Sequence, residues 1–154
     1  MQTIGFNFTK ISAERFPTAG NIAPSMKIEF TNVEKENLSL LKENEAIKVS
    51  FNFLISYEPP QKKDEEKSKK KTKSSEKLAE ISFGGSIVFS CSDEESKEFQ
   101  KSWKNKQVPK QYAVPIYNFL LRKCSTKALS LEEDLNLPPH VQLHQFTPAQ
   151  NQNQ

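Results

Sequence analysis

Between Ala79 and Pro139 the hydrophobic period of the chain changes once and then stops. In AEISFGGSIVFSC, Ile81, Phe83, Ile87, Phe89 and Cys91 all fall on odd positions, the two-residue repeat of a strand with one buried face. In AVPIYNFLLRKCSTKALSLEEDLNLPP, Ala113, Ile116, Tyr117, Leu120, Cys124, Ala128 and Leu131 recur at three- and four-residue spacing. That is the stripe of an amphipathic helix, closed by Pro138 and Pro139. A strand, an acidic link and such a helix, with no catalytic signature among them, point to packing and surface rather than chemistry.

Three earlier segments share the strand period. Ile4 to Ile11 sets Ile4, Phe6 and Phe8 against Gly5, Asn7 and Thr9; Met26 to Val33 sets Met26, Ile28 and Phe30 against Lys27, Glu29 and Thr31. The third, Ile47 to Tyr57, alternates throughout except at Leu54. One apolar face per strand predicts an α+β fold: a twisted four-stranded antiparallel sheet covered on one face by the long C-terminal helix. Strands three and four should form a hairpin, and Gly84-Gly85 should mark a bend, a bulge or a close backbone approach. Ser12 to Ala23, with Pro17 and Gly20, reads as a loop. Ser92 or Asp93 should cap a first helix bearing Phe99 and Trp103 on one face, with Glu94 and Glu95 at its positive end. That helix should break near Pro109, and Pro115 should fall in the first turn of the next, where it is tolerated.

Length suits one domain, residues 1–146, with a lysine-rich insertion at 61–77 and a tail at 147–154. The insertion, QKKDEEKSKKKTKSSEK, has no apolar residue and should be a disordered hairpin tip, as should the tail. It holds eight lysines and four acids, a net +4, whereas the remaining 14 basic and 15 acidic residues give −1. The formal charge of +3 therefore belongs to a loop and not to the folded body. A lysine run can bind phosphate backbones, which is the alternative function open here. Its mixed signs and lack of arginine or interleaved aromatics argue against nucleic acid.

Cys91 and Cys124 lie in regular elements and read as small buried hydrophobes of a reducing compartment, not a disulfide. No apolar run approaches membrane-spanning length and the polar N-terminus is no signal peptide, so a cytosolic protein without membrane insertion is expected. His140 and His144 are four apart, but the adjacent prolines oppose a helix, and both read as surface histidines whose replacement by glutamine should do little. Phosphate-binding glycine loops and activated nucleophiles are missing too. Neither catalysis nor a cofactor or metal is expected.

The order of elements resembles SecB-type export chaperones. The resemblance rests on Gly84-Gly85-Ser86-Ile87-Val88-Phe89, on Pro115-Ile116-Tyr117-Asn118-Phe119-Leu120, and on Leu137-Pro138-Pro139 followed by Val141-Gln142-Leu143. It implies a homo-oligomer, a dimer of dimers pairing through sheets and long helices. It also implies holding of unfolded preproteins or other non-native polypeptides in hydrophobic grooves without nucleotide, with hand-over to a SecA-type translocation motor or protection of an antitoxin. The family's helix after the apolar tail has no counterpart in PAQNQNQ, and its acidic surface is replaced by a near-neutral body. Holding is thus implied more directly than the motor.

Apolar residues of the loop, the second strand and the tail are the candidates for such a groove. They are Phe16 and Ile22 in the loop, Met26, Ile28 and Phe30 on the second strand, and Leu137, Val141, Leu143 and Phe146 in the tail. Leu38, Leu40 and Leu41 are further loop hydrophobes that can fold down as lids.

Overall fold

The computed structural model describes residues 1–17, 21–36, 45–59 and 77–143. Residues 61–76 of the insertion, the Leu38–Leu41 stretch, His144, Phe146 and the tail beyond lie outside them. Four strands, β1 (Gln2–Arg15), β2 (Ala23–Glu36), β3 (Glu45–Glu58) and β4 (Ala79–Cys91), precede two helices, α1 (Asp93–Trp103) and α2 (Lys110–Asp134). The strands form one antiparallel sheet in the order β1-β4-β3-β2. As the alternation predicts, β3 and β4 pair as a hairpin, in unbroken register from Glu45–Cys91 to Tyr57–Ala79.

The outer strands are longer than their alternation shows, and bulges are the reason. Register slips between Thr3 and Gly5 and between Phe8 and Lys10 on β1, and between Phe30 and Asn32 on β2. Each slip inserts one unpaired residue and resets the side-chain phase. Ile4, expected beside Phe6 and Phe8, is such a residue and stands 43% exposed. Ser12 to Arg15, read as loop, continue the strand opposite Ser82 to Ala79. The second bulge on β1 lies opposite Gly84-Gly85, where a Cβ on Gly85 would run into the carbonyl of Asn7 and reach 2.9 Å from the Phe51 ring. Close approach, not a turn, is what Gly85 serves.

The core lies between the sheet and α2. Val49, Phe51, Phe53, Ile55, Ile81, Phe83 and Ile87 meet Ile116, Leu120, Cys124 and Ala128 from the helix. Ring contacts anchor α2 toward both edges: Phe6 of β1 meets Phe119 at 5.6 Å, and Phe30 of β2 meets Tyr117 at 5.0 Å. Ser92 caps α1 in a full capping box with Glu95. Phe99 is buried and stacks on Tyr112, and Trp103 is half-buried. Pro115 is the sixth residue of α2, beyond the first turn predicted for it, so it removes a ladder donor, at an exposed position. Both cysteines are free and buried, and burial pushes the Cys124 thiol up to about 12.

Candidate client-binding surface and its polar clasp

Where α2 ends, the chain turns back on itself. Asn136 adopts the left-handed conformation (φ 51°), Leu137 N–H donates to the Glu132 carbonyl at 2.8 Å, and Asn136 N–H donates to Glu133 at 3.1 Å. This is the six-to-one and five-to-two pattern of a Schellman turn, with proline following. Arg15 at the end of β1 donates to the Leu135 and Asn136 carbonyls, both at 2.7 Å, tying the turn to the sheet. The strap that leaves it, Leu137–Leu143, runs beside the last turns of α2. With Leu129, Ser130, Glu132 and Glu133 of the helix, its Leu137, Pro139 and Leu143 line a cavity of about 510 Å³.

Beneath the strap lies a buried polar cluster. Positions 116, 120, 124 and 128 of α2 are apolar and buried at four-residue spacing, and the next position in that series is Glu132, 1% exposed. Its Oε1 accepts from the Tyr57 hydroxyl at 2.5 Å and from the His140 backbone N–H at 3.2 Å, and lies 2.7 Å from His140 Nδ1. His140 Nε2 is 3.0 Å from Ser125 Oγ, and the Phe53 ring meets the imidazole edge-on at 6.3 Å. The His140 and Glu132 side chains are 1% and 2% exposed. Burial, and then the hydrogen bond and charge of Glu132, drive the Tyr57 hydroxyl's pKa upward, so it stays a donor. Glu132 Oε2 has no partner among the described residues.

His140 is therefore not the surface histidine expected from the prolines around it. The proline-bent strap turns it inward onto a carboxylate that the sequence hides inside an apolar stripe. The four-residue spacing was the available signal, but the neighbouring Leu131, half-buried, drew the stripe's end to itself. Serine, histidine and glutamate stand here in the order of an acyl-transfer relay. Ser125, however, lies mid-helix, where backbone N–H groups are spent in the ladder and offer nothing to an oxyanion. Among the described residues no group of three or more metal-type ligands occurs.

The candidate groove residues fall into two sets. Leu137 is buried in the core, Val141 is half-buried and Leu143 is 56% exposed at the rim of the strap cavity. Met26 is exposed, while Ile28 and Phe30 are half-buried against the core along β2, and Ile22 packs there too just before that strand. Phe16, exposed, follows β1, with its N–H donating to the Leu78 carbonyl. Strand pairing relates the sets: Pro24, two residues before Met26, lies opposite Tyr57, whose hydroxyl reaches Glu132. Sequence reading missed other exposed apolar residues, namely Ile11 on β1 and Val114 on α2. It also missed a second cavity of about 470 Å³ formed by Phe8 with Arg122, Lys123, Thr126 and Lys127. The opposite sheet face carries mixed charge around a shallow hollow, including Lys10, Lys27, Glu29 and Glu80.

No protein-family profile matches the chain, and no curated protein does. The architecture is that of the SecB-like chaperones, a four-stranded antiparallel sheet with a long C-terminal helix. It is similar to the solved structure of the Mycobacterium tuberculosis Rv1957 SecB-like chaperone in complex with a ChAD peptide from the Rv1956 HigA1 antitoxin. The two superpose with a TM-score of 0.52 over 96% of this chain and 91% of that one, at 13% identity. The likeness is one of fold. No helix among the described residues is long and apolar enough to cross a membrane.

Proposed function

We propose that this protein is a nucleotide-independent holding chaperone that binds non-native polypeptides through apolar side chains left outside its core. One observation carries the reading. Ile4, Ile11, Phe16, Met26, Val114, Tyr117 and Leu143 are large apolar residues each at least 38% exposed, on a fold shared with a chaperone solved holding a peptide. Exposed apolar groups spread along strand edges, a helix and a strap suit an extended client better than a compact ligand. Burial contributes roughly 25 cal/mol per Å² before ordering costs and carries no directional code, so client sequence matters little. Preproteins awaiting a translocation motor, or antitoxin segments like the one held by the mycobacterial protein, are the clients we propose.

Self-association belongs to the same proposal. β1 is an edge strand with a single lysine, Lys10, along its central stretch, and Ile4 and Ile11 stand exposed on it. Such edges invite pairing with another copy. The exposed face of α2, bearing Val114 and Tyr117, offers the second contact of a dimer of dimers.

The test is suppression of aggregation of an unfolded client by the native protein and by a variant with Phe16, Ile22, Val141 and Leu143 replaced by serine. Each lost side chain should cost on the order of 1 kcal/mol of client binding. Holding should drop clearly while circular dichroism stays native. Undiminished holding by that variant would remove the proposed groove, and failure of the native protein to hold any client would remove the function.

A further inference from the structure

The strap is held in an unusual way. Of its apolar residues only Leu137 is fully buried; Val141 is half-buried and Leu143 is exposed. What fastens it beyond the Schellman turn is polar: His140 joins Glu132 through both its backbone N–H and Nδ1, and Ser125 through Nε2. Buried charged groups are a poor source of stability, since desolvation consumes most of what pairing returns. Glu132 Oε2 is left buried without a partner among the described residues, a further penalty. An apolar fastening at the same place would be at least as stable. A strap fastened by its apolar side chains, however, would spend them on its own core.

We propose that Glu132 and His140 are positioning residues for the client groove: their clasp fixes the strap so that Pro139 and Leu143 stay at the cavity wall for a client. This rests on the holding function above and names what sets the geometry of its strap side. Tyr57 keeps Glu132 in place from the sheet, and Ser125 keeps the imidazole from rotating, so the clasp ties two elements, β3 and α2, to one segment. The strap contributes side chains to the cavity wall on either side of His140, from Leu137 and Pro139 to Leu143. Loosening His140 therefore moves the wall without touching the sheet.

The experiment compares His140→Ala, Ser125→Ala and the double variant Glu132→Leu/His140→Leu with the native protein. Backbone hydrogen exchange is read residue by residue, and affinity is measured for reduced, carboxymethylated lactalbumin, a chain that stays unfolded. In His140→Ala the residue-140 amide, which donates to Glu132 Oε1, should exchange at least tenfold faster, with β3 and β4 unchanged, and affinity should fall about fivefold. Ser125→Ala should do the same more weakly, and stands in if His140→Ala folds poorly. The double leucine variant, fastened by burial instead, should restore affinity, although its residue-140 amide, deprived of the Glu132 acceptor, stays unprotected. Unchanged strap exchange in the single variants would overturn the proposal. So would a loosened strap with native affinity, or a rise in exchange spread evenly over sheet and helices. Should the native protein fail to bind lactalbumin, the holding function falls, while exchange in the strap still decides the clasp.

Discussion

The inner strands β3 and β4 and the outer strands β1 and β2 are written in the same alternating code, yet they meet different fates. In β3 every odd residue from Ile47 to Tyr57 is buried, and β4 buries Ile81, Phe83, Ile87, Phe89 and Cys91. In β1 and β2 no residue is fully buried, although Phe6, Phe8, Ile28 and Phe30 repeat the pattern. Alternation encodes which face a side chain takes; position in the sheet decides how deep it lies. The inner pair is flanked on both sides and roofed by α2. The outer pair keeps apolar side chains at the sheet's edges, and these are the residues the proposed holding function draws on. The fold thus separates a stability module from a surface module within one sheet.

Equal truncations at the two depths test that separation most sharply. Phe53→Ala removes a ring with no solvent exposure from the centre of the core and should cost about 3–5 kcal/mol in chemical denaturation. Met26→Ala, on β2 and 42% exposed, should cost well under about 1 kcal/mol. Similar losses at both sites would show that the outer strands carry core weight and that the division is wrong.

The glycines offer a second contrast. At Gly85 on β4 an added Cβ meets the Asn7 carbonyl and the Phe51 ring, atoms that the ladder and core cannot easily shift. Gly85→Ala should destabilise by about 1–3 kcal/mol. At Gly5 on β1 the nearest atoms, Val88 Cβ and Cγ2, lie at 3.5 and 3.6 Å, ordinary contact distance, so Gly5→Ala should be close to neutral. A neutral Gly85→Ala would mean that β1 can slide at its bulge.

Alkaline pH probes the roof of the inner pair. The Cys124 thiol, ordinarily titrating near 9.0, is pushed to about 12 by burial. Above pH 9 the unfolded chain sheds this proton and the folded chain keeps it, so stability falls as pH rises toward 12. The slope approaches about 1.4 kcal/mol per pH unit for one such group. Buried Tyr57, also raised, steepens the loss at the upper end. Cys124→Ala should flatten the first part of the curve when its melting temperature is followed from pH 8 to 10. An unaltered slope would place the alkaline sensitivity elsewhere.

How much of this was legible in the sequence differs by module, for physical reasons. β3, β4 and the starts of both helices could be read to within two residues because the strand periods run unbroken and the helix starts carry a cap or a proline. The end of α1 could not: it falls at Trp103, six residues before the proline expected to break it. β1 and β2 lost their ends because bulges at Ile4, Thr9 and Thr31 reset the phase. The exposed groove candidates Met26 and Leu143 were readable as apolar residues, Met26 within the stripe of the second strand and Leu143 outside any stripe. The clasp was not: it joins Tyr57, Ser125, Glu132 and His140 from three elements, and no local period links them. Glu132 was hidden by being the polar member of an apolar series, and His140 by prolines that speak for a surface segment.

The smallest effect on client binding should come from removing 61–77 altogether. The inner ladder closes on its own at that end: Tyr57 pairs with Ala79, and the Leu78 N–H donates to the Tyr57 carbonyl at 2.9 Å. Joining the ends by a tight turn of two to five residues supplies the connection hairpins prefer. Loop closure costs about 0.6 kcal/mol per doubling of length, so the shortened hairpin should gain roughly 1–2 kcal/mol. The segment has no apolar residue to contribute to a groove, and client binding should not change at any salt concentration. A loss of stability would mean that the inner pair leans on the insertion. A loss of client binding that deepens at low salt would instead assign the lysines a part in capture, moving function from the outer strands to the tip of the inner ones.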